Sequence, residues 1–230
     1  MTGRLITLEG GEGTGKSTQA ARLVERLRGA GLDVVATREP GGTEGAEAVR
    51  ALLVTGDAGR WSAAAEACLV NAARADHVER VIRPALDGGA WVVSDRFVDS
   101  TLAYQGAGKG LADSALRSLH HIAAADLWPD LTLVLDLPEG GGLARAEARG
   151  GGRFEAHDAD FHTRVLAGFR EIVLAEPGRC KLVDASGDVD AVAARLWAEV
   201  ELLLTPKRPL ESDPSLPPGR SPTGADSGDD

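Results

Sequence analysis

Residues 10 to 17 read Gly-Gly-Glu-Gly-Thr-Gly-Lys-Ser and follow the apolar run Leu5-Ile6-Thr7-Leu8 directly. The spacing is Gly-x-x-x-x-Gly-Lys-Ser, a phosphate-binding P-loop in the setting it requires: strand, glycine-rich turn, helix. Gly10, Gly11, Gly13 and Gly15 let the backbone curl so that successive N–H groups point inward, where a side chain would block phosphate oxygens. A helix opening near Lys16 adds its positive end to the attraction. Lys16 supplies a full charge for β- and γ-phosphates, and Ser17 a hydroxyl for magnesium. A glycine-rich surface turn would account for the glycines alone; motif and context together point to the phosphate loop.

Two more charged groups stand at predicted strand ends. Asp95 follows Trp91-Val92-Val93-Ser94. A carboxylate just past a buried strand and facing such a loop commonly holds magnesium through water, although it could instead cap the next helix. Its neighbour Arg96 can make a bidentate bond to a phosphate, which an ordinary surface arginine would not do. Arg38-Glu39-Pro40-Gly41-Gly42-Thr43 ends the second strand. Proline forces Glu39 into an extended backbone and the glycine pair permits a tight turn. A turn alone leaves the charged pair unexplained, so a ligand contact is expected there. Arg145, Arg149 and Arg153 form another group, the first two one helical turn apart, with Gly150-Gly151-Gly152 as a joint before Arg153.

These residues need a scaffold, and the hydrophobic pattern supplies one. Strands are predicted at 4–9, 33–37, 91–94, 131–136 and 181–184. Helices are predicted near 16–29, 44–54, 61–88, 112–125, 138–149, 158–175 and 188–204. Such alternation implies an α/β fold with a five-stranded parallel sheet flanked by helices on both faces. The run Leu131-Thr132-Leu133-Val134-Leu135-Asp136 is nearly all apolar, as a central strand covered on both sides should be. Ligands collect at the carboxyl ends of such strands, where the P-loop, Arg38-Glu39 and Asp95-Arg96 would all fall.

The chain has 230 residues, 43% hydrophobic, with a formal net charge of −10. That suits one well-buried domain over residues 1–205 and argues against a duplex-binding surface. From Pro206 to Asp230 proline, serine, glycine and aspartate dominate, and a disordered tail is expected. Cys68 and Cys180 have no metal or redox spacing, and the five histidines lack metal pairing. No run is long enough to span a bilayer, so a cytoplasmic protein without membrane or nucleic-acid partners is expected.

The segments 9–18, 37–43 (Thr-Arg-Glu-Pro-Gly-Gly-Thr), 95–106 (Asp-Arg-Phe-Val-Asp-Ser-Thr-Leu-Ala-Tyr-Gln-Gly) and 129–136 together resemble bacterial thymidylate kinase. The similarity runs in register from about residue 4 to 204. It implies a P-loop kinase fold with a short lid near 142–155, usually a homodimer, that transfers the γ-phosphoryl group of ATP to dTMP in dTTP biosynthesis. By this resemblance Gly10, Gly11, Gly13, Thr14, Gly15, Lys16, Ser17 and Thr18 would hold ATP, with Arg145, and Ser17 and Asp95 would serve Mg2+. Glu12 would sit between donor and acceptor phosphates. Arg96, with Arg38 and Arg50, would grip the dTMP phosphate. Arg74 would bond the thymine edge, Thr101 and Gln105 would reach the base, and Tyr104 would pack near the sugar. Pro40 would touch the thymine methyl, beside the charged Glu39. Lys16, Glu12 and Arg96 would carry the catalysis with a lid arginine, Arg149 or Arg153, because no other basic residue precedes Lys16 in the loop. Val70 stands where the family usually has an aromatic residue against thymine, which also keeps a kinase for another nucleoside monophosphate in view. A non-catalytic nucleotide switch would use the same loop but needs neither a second phosphate pocket nor an arginine lid.

Overall fold

The computed structural model describes residues 3–138, 142, 145 and 152–204. In chain order these form β1 (Leu5–Glu9), α1 (Lys16–Gly29), β2 (Val34–Arg38), α2 (Glu44–Val54), α3 (Ala63–His77), a π-helical turn (Val78–Ile82) and α4 (Arg83–Asp87). Then follow β3 (Trp91–Asp95), α5 (Val98–Thr101), a π-helical segment (Leu102–Gly108), α6 (Asp113–Ala124), β4 (Leu131–Asp136), α7 (Ala159–Ala175), β5 (Cys180–Asp184) and α8 (Val189–Leu204). All five predicted strands form. The predicted helix 61–88 is interrupted by the π-helical turn after His77. The expected helix 138–149 lies outside the described residues except at 138, 142 and 145, and so does the tail from 206 onward.

The sheet is parallel, in the order β2-β3-β1-β4-β5. Leu8 of β1 pairs with Asp95 of β3, which pairs with Arg38 of β2. The carboxyl ends of these three strands therefore lie side by side. β1 sits between β3 and β4, where connections leave in opposite directions and open a crevice. Alternation along β1 divides the core: Ile6 and Leu8 pack with Leu23, Leu27 and Leu196 from α1 and α8. Leu5 packs on the other face with Ile82, Phe97 and Leu116. Thr7 is also fully buried, its hydroxyl bonded to that of Thr132 across the β1–β4 pair at 2.9 Å. Side chains cap four helices: Thr43 accepts from Ala46 N, Ser62 from Ala65 N, Asp158 from Phe161 N and Asp188 from Ala191 N.

The helical stretch 98–108 was not predicted from sequence. Valine, threonine and two glycines give it poor helix propensity. Packing against α7 overrides that preference. A Cβ on Gly108 would lie 2.6 Å from Phe161, and one on Gly168 2.5 Å from the Ala107 Cβ, so both glycines are needed for the approach. The contact holds Tyr104 and Gln105 at the crevice.

Leu133 is fully buried in the middle of β4. Leu133→Ala is expected to lower unfolding free energy by about 2–5 kcal/mol, read as a shift in urea midpoint at unchanged slope. A loss below about 1 kcal/mol would mean the sheet centre repacks freely.

Candidate active site

The crevice is a cavity of about 550 Å³, open to solvent and lined from six separate stretches of chain. The P-loop supplies Glu12, Gly13, Gly15, Lys16, Ser17 and Thr18. Gly10 has φ 128°, and a Cβ there would lie 2.3 Å from the Leu135 carbonyl oxygen, so only glycine lets the loop leave β1 against β4. Helix α1 starts after Gly15 with no side chain capping it, unlike α2, α3 and α7. Its first N–H groups remain as donors for an anion. Lys16 Nζ donates to the Gly10 and Gly11 carbonyls at 3.1 and 2.6 Å. Ser17 Oγ donates to Asp95 Oδ2 at 2.5 Å, which brings the two expected magnesium residues together.

Arg96 holds the centre. It has φ 73°, a left-handed conformation that costs a non-glycine residue on the order of 1–3 kcal/mol. That turn aims its guanidinium back at the P-loop. NH2 donates to Glu12 Oε1 at 2.8 Å and to the Tyr104 hydroxyl at 3.1 Å, and NH1 donates to the Gly10 carbonyl and to Ser100 Oγ. Tyr104 also donates to Glu12 Oε1 at 2.7 Å. Across the cavity Arg74, fully enclosed, donates through Nε to Glu39, NH1 to Asn71 and NH2 to Thr101, at 2.9, 3.1 and 2.9 Å. Arg38 pairs with Glu47, and Arg50 donates to the Pro40 carbonyl. Val70, Pro40, Val54 and Phe97 complete an apolar wall. Lys16, Arg38 and Arg96, distant in sequence, thus share one cavity.

The thymidylate kinase family profile matches residues 8–196. The chain belongs to the thymidylate kinase family. It is an enzyme of that family, with the P-loop kinase fold. It is 55% identical to the thymidylate kinase of Rhizorhabdus wittichii over 199 residues, 85% of this chain and 96% of that one. Identity to the thymidylate kinase of Caulobacter vibrioides is also 55%, over 195 residues, 84% of this chain and 94% of that one. The crystal structure of thymidylate kinase from Ehrlichia chaffeensis superimposes with a TM-score of 0.70 at 31% identity, covering 89% of this chain and 100% of that one.

Of the site residues expected from sequence, Glu12, Lys16, Ser17, Arg38, Glu39, Pro40, Arg50, Val70, Arg74, Asp95, Arg96, Thr101, Tyr104 and Gln105 line the cavity together. Gly10, Gly11 and Thr14 shape the loop behind it, Thr14 Oγ1 donating to the Gly11 carbonyl at 3.0 Å. Gln105 and Arg153 line the cavity with partners that the sequence did not reveal. Gln105 donates its amide to Glu66 at 2.7 Å. Arg153 lines the cavity, but its guanidinium is enclosed, bonded to the carbonyls of Leu53, Asp57 and Ala58 and paired with Glu66. The physical reason is that Glu66 is fully buried on α3 and a buried carboxylate needs donors, which Gln105, Lys109 and Arg153 supply. Arg145 is exposed and does not line the cavity; Arg149 lies outside the described residues.

Sequence reasoning missed Glu9. It is fully buried at the end of β1 and accepts from Phe97 N, Ser100 N and Ser100 Oγ at 2.7, 3.3 and 2.5 Å. Burial, with the Asp99 charge adding to it, raises its carboxyl to about 8. The signal was available: a carboxylate ending an otherwise apolar central strand must have partners. Burial also dominates at Lys16 and, with the Arg96 charge, lowers its ammonium to about 8 against the pull of Glu12, Asp95 and Glu9. Glu12 is the opposite case. Burial would raise it, but the charges of Arg96 and Lys16 and the Tyr104 hydrogen bond outweigh that and hold it at about 2.

A carboxyl held below its ordinary value contributes stability above that ordinary value and loses it as pH falls through the folded one. For Glu12 the window runs from 4.5 down to about 2. Glu12→Gln removes the titration, so the stability gap between wild type and variant should shrink across that window in denaturant titrations. A gap that stays constant over the same range would separate Glu12 from the Arg96 and Lys16 charges.

Proposed function

We propose that this chain transfers the γ-phosphoryl group of ATP to dTMP with the help of magnesium, giving dTDP for dTTP synthesis. The observation that carries the reading is that one cavity holds both halves of such a site. It is lined by the P-loop with Lys16, by Arg38 and Arg50, and by a wall of Val70, Arg74 and Thr101. Glu12, Arg96 and Tyr104 form a bonded cluster between the halves.

In the direct mechanism an oxygen of the dTMP phosphate attacks the γ-phosphorus in line. No general base is required, because the acceptor phosphate is already anionic at neutral pH. What the protein supplies is alignment and charge. Lys16 neutralises charge on the β- and γ-phosphates. Arg96 leaves the Gly10 carbonyl and Ser100 for the acceptor phosphate, while Glu12 keeps its fork oriented. The donor set fits a hard cation: Ser17 hydroxyl and Asp95 carboxylate are both oxygens, hydrogen-bonded beside the α1 N-terminus. When bound there, magnesium would neutralise charge on phosphate oxygens. Arg74, with Thr101, would hold the base edge against Val70 and Pro40. The same reading includes a homodimer in the cytoplasm; no described helix is long and apolar enough to cross a membrane.

Val70 favours one second reading, a kinase with broader choice among nucleoside monophosphates, since valine gives contact without a π-face. Turnover on dTMP, dUMP, CMP and AMP separates the two. ADP release should depend on dTMP, and Lys16→Ala should reduce it by at least about two to three orders of magnitude with the fold retained. Faster turnover on AMP or CMP than on dTMP would reject dTMP as the acceptor, and ATP binding without dTMP-dependent ADP would reject catalysis. Val70→Phe should lower the dTMP dissociation constant in calorimetry by about 3- to 10-fold, the worth of one aromatic contact. An unchanged or weaker affinity would mean another group already covers that face of the base.

A further inference from the structure

Glu66 is fully buried, and nothing in the reaction above uses it. It lies four residues before Val70 and eight before Arg74, on the face of α3 that walls the acceptor half of the cavity. Its Oε1 accepts from Gln105 Nε2 at 2.7 Å and its Oε2 from Lys109 Nζ at 2.9 Å. Arg153 NH2 reaches the same Oε2 at 2.5 Å. Arg153 in turn donates Nε to the Asp57 carbonyl, NH1 to Leu53 and NH2 to Ala58, at 3.0, 3.1 and 3.1 Å. The Glu66 and Arg153 side chains are each 0% exposed.

A buried ion pair is not an efficient way to stabilise a core, because desolvation offsets most of the attraction. What this pair does is join. Gly152, Arg153, Phe154 and Glu155 line the cavity, and so do Val54, next to the bonded Leu53, and Gln105. Through Glu66 and Arg153 these three stretches, from different parts of the chain, are fastened to α3. Phe154, next after Arg153, lies edge-on to Tyr104 with ring centroids 5.8 Å apart. The fastening thus extends to a side chain bonded to both Glu12 and Arg96.

We propose that Glu66 and Arg153 form an internal clasp that holds the wall of the acceptor cavity in shape. Both are positioning residues for the acceptor nucleotide. Arg153 acts through the wall and does not touch the transferring phosphoryl group. The kinetic part of this inference rests on the dTMP kinase reading; the structural part does not.

The test is Glu66→Gln, which keeps the shape but turns an amide N–H toward donors, together with Arg153→Lys, which keeps the charge but loses the fork. In each variant KM for dTMP should rise about 10-fold, while kcat at saturating dTMP falls by no more than about threefold. ATP affinity measured without dTMP should move by less than about twofold. The double variant should be about as impaired as the worse single one, since the two side chains work as a unit. A kcat loss of about 100-fold in Arg153→Lys at unchanged KM for dTMP would place Arg153 on the phosphoryl group and overturn the clasp. Equal losses for ATP and dTMP, or additive effects, would overturn it too. Amide hydrogen exchange gives a readout that needs no substrate: residues 152–157 should exchange faster in Glu66→Gln than in wild type. Unchanged exchange there overturns the clasp whatever the acceptor is. Absence of dTMP-dependent ADP release in wild type overturns the functional reading instead.

Discussion

A cavity built to hold two polyanions must first hold its own cations together. Lys16, Arg38, Arg50, Arg74, Arg96 and Arg153 all line one crevice. Unit charges about 4 Å apart repel by about 4 kcal/mol at an effective dielectric constant of about 20. The structure meets this by giving each cation an acceptor. Glu12 serves Arg96, Glu39 serves Arg74, Glu47 serves Arg38 and Glu66 serves Arg153. Carbonyls of Gly10, Gly11 and Pro40 serve Lys16 and Arg50. Compensation is incomplete at Arg50, where burial and then the Arg38 charge lower the guanidinium from its ordinary value. The acidic balance of the whole chain is therefore compatible with a cationic site.

The sheet makes the crowding possible. Parallel pairing of β1 with β3 and of β3 with β2 brings Leu8, Asp95 and Arg38 into one row. The loops that follow those positions are then neighbours by geometry. The left-handed turn at Arg96 is affordable within this frame because Glu9 fixes the residues after it with three hydrogen bonds. A rigid apolar sheet carries the strain, and the charged groups sit at its rim.

Rigidity is distributed unevenly among the helices. Thr43, Ser62 and Asp158 cap α2, α3 and α7, whereas α1 is left without a side-chain cap where it meets the P-loop. The end of α1 is thereby less stabilised than it could be, and its free N–H groups are the ones a phosphate needs. The same logic explains the π-helical segment after α5. Gly108 weakens it locally, yet it permits the contact with α7 that holds Tyr104 against Arg96.

Much of this protein could be read from its residues. The P-loop was legible because glycine spacing, lysine and serine encode local backbone geometry, and the five strands because buried parallel strands are continuous apolar runs. Asp95-Arg96 and Arg38-Glu39 could be placed at strand ends for the same reason. The partners of those charges were not legible. That Arg74 meets Glu39 and Thr101, that Glu9 secures the turn after Arg96, and that Arg153 is drawn onto Glu66 depend on side chains 27 to 91 positions apart. Local pattern carries no information at that range. Sequence by itself determined which segments form and which chemistry they contain; tertiary structure alone decided which charges neutralise one another, because only packing sets the distances and burial on which their energies depend.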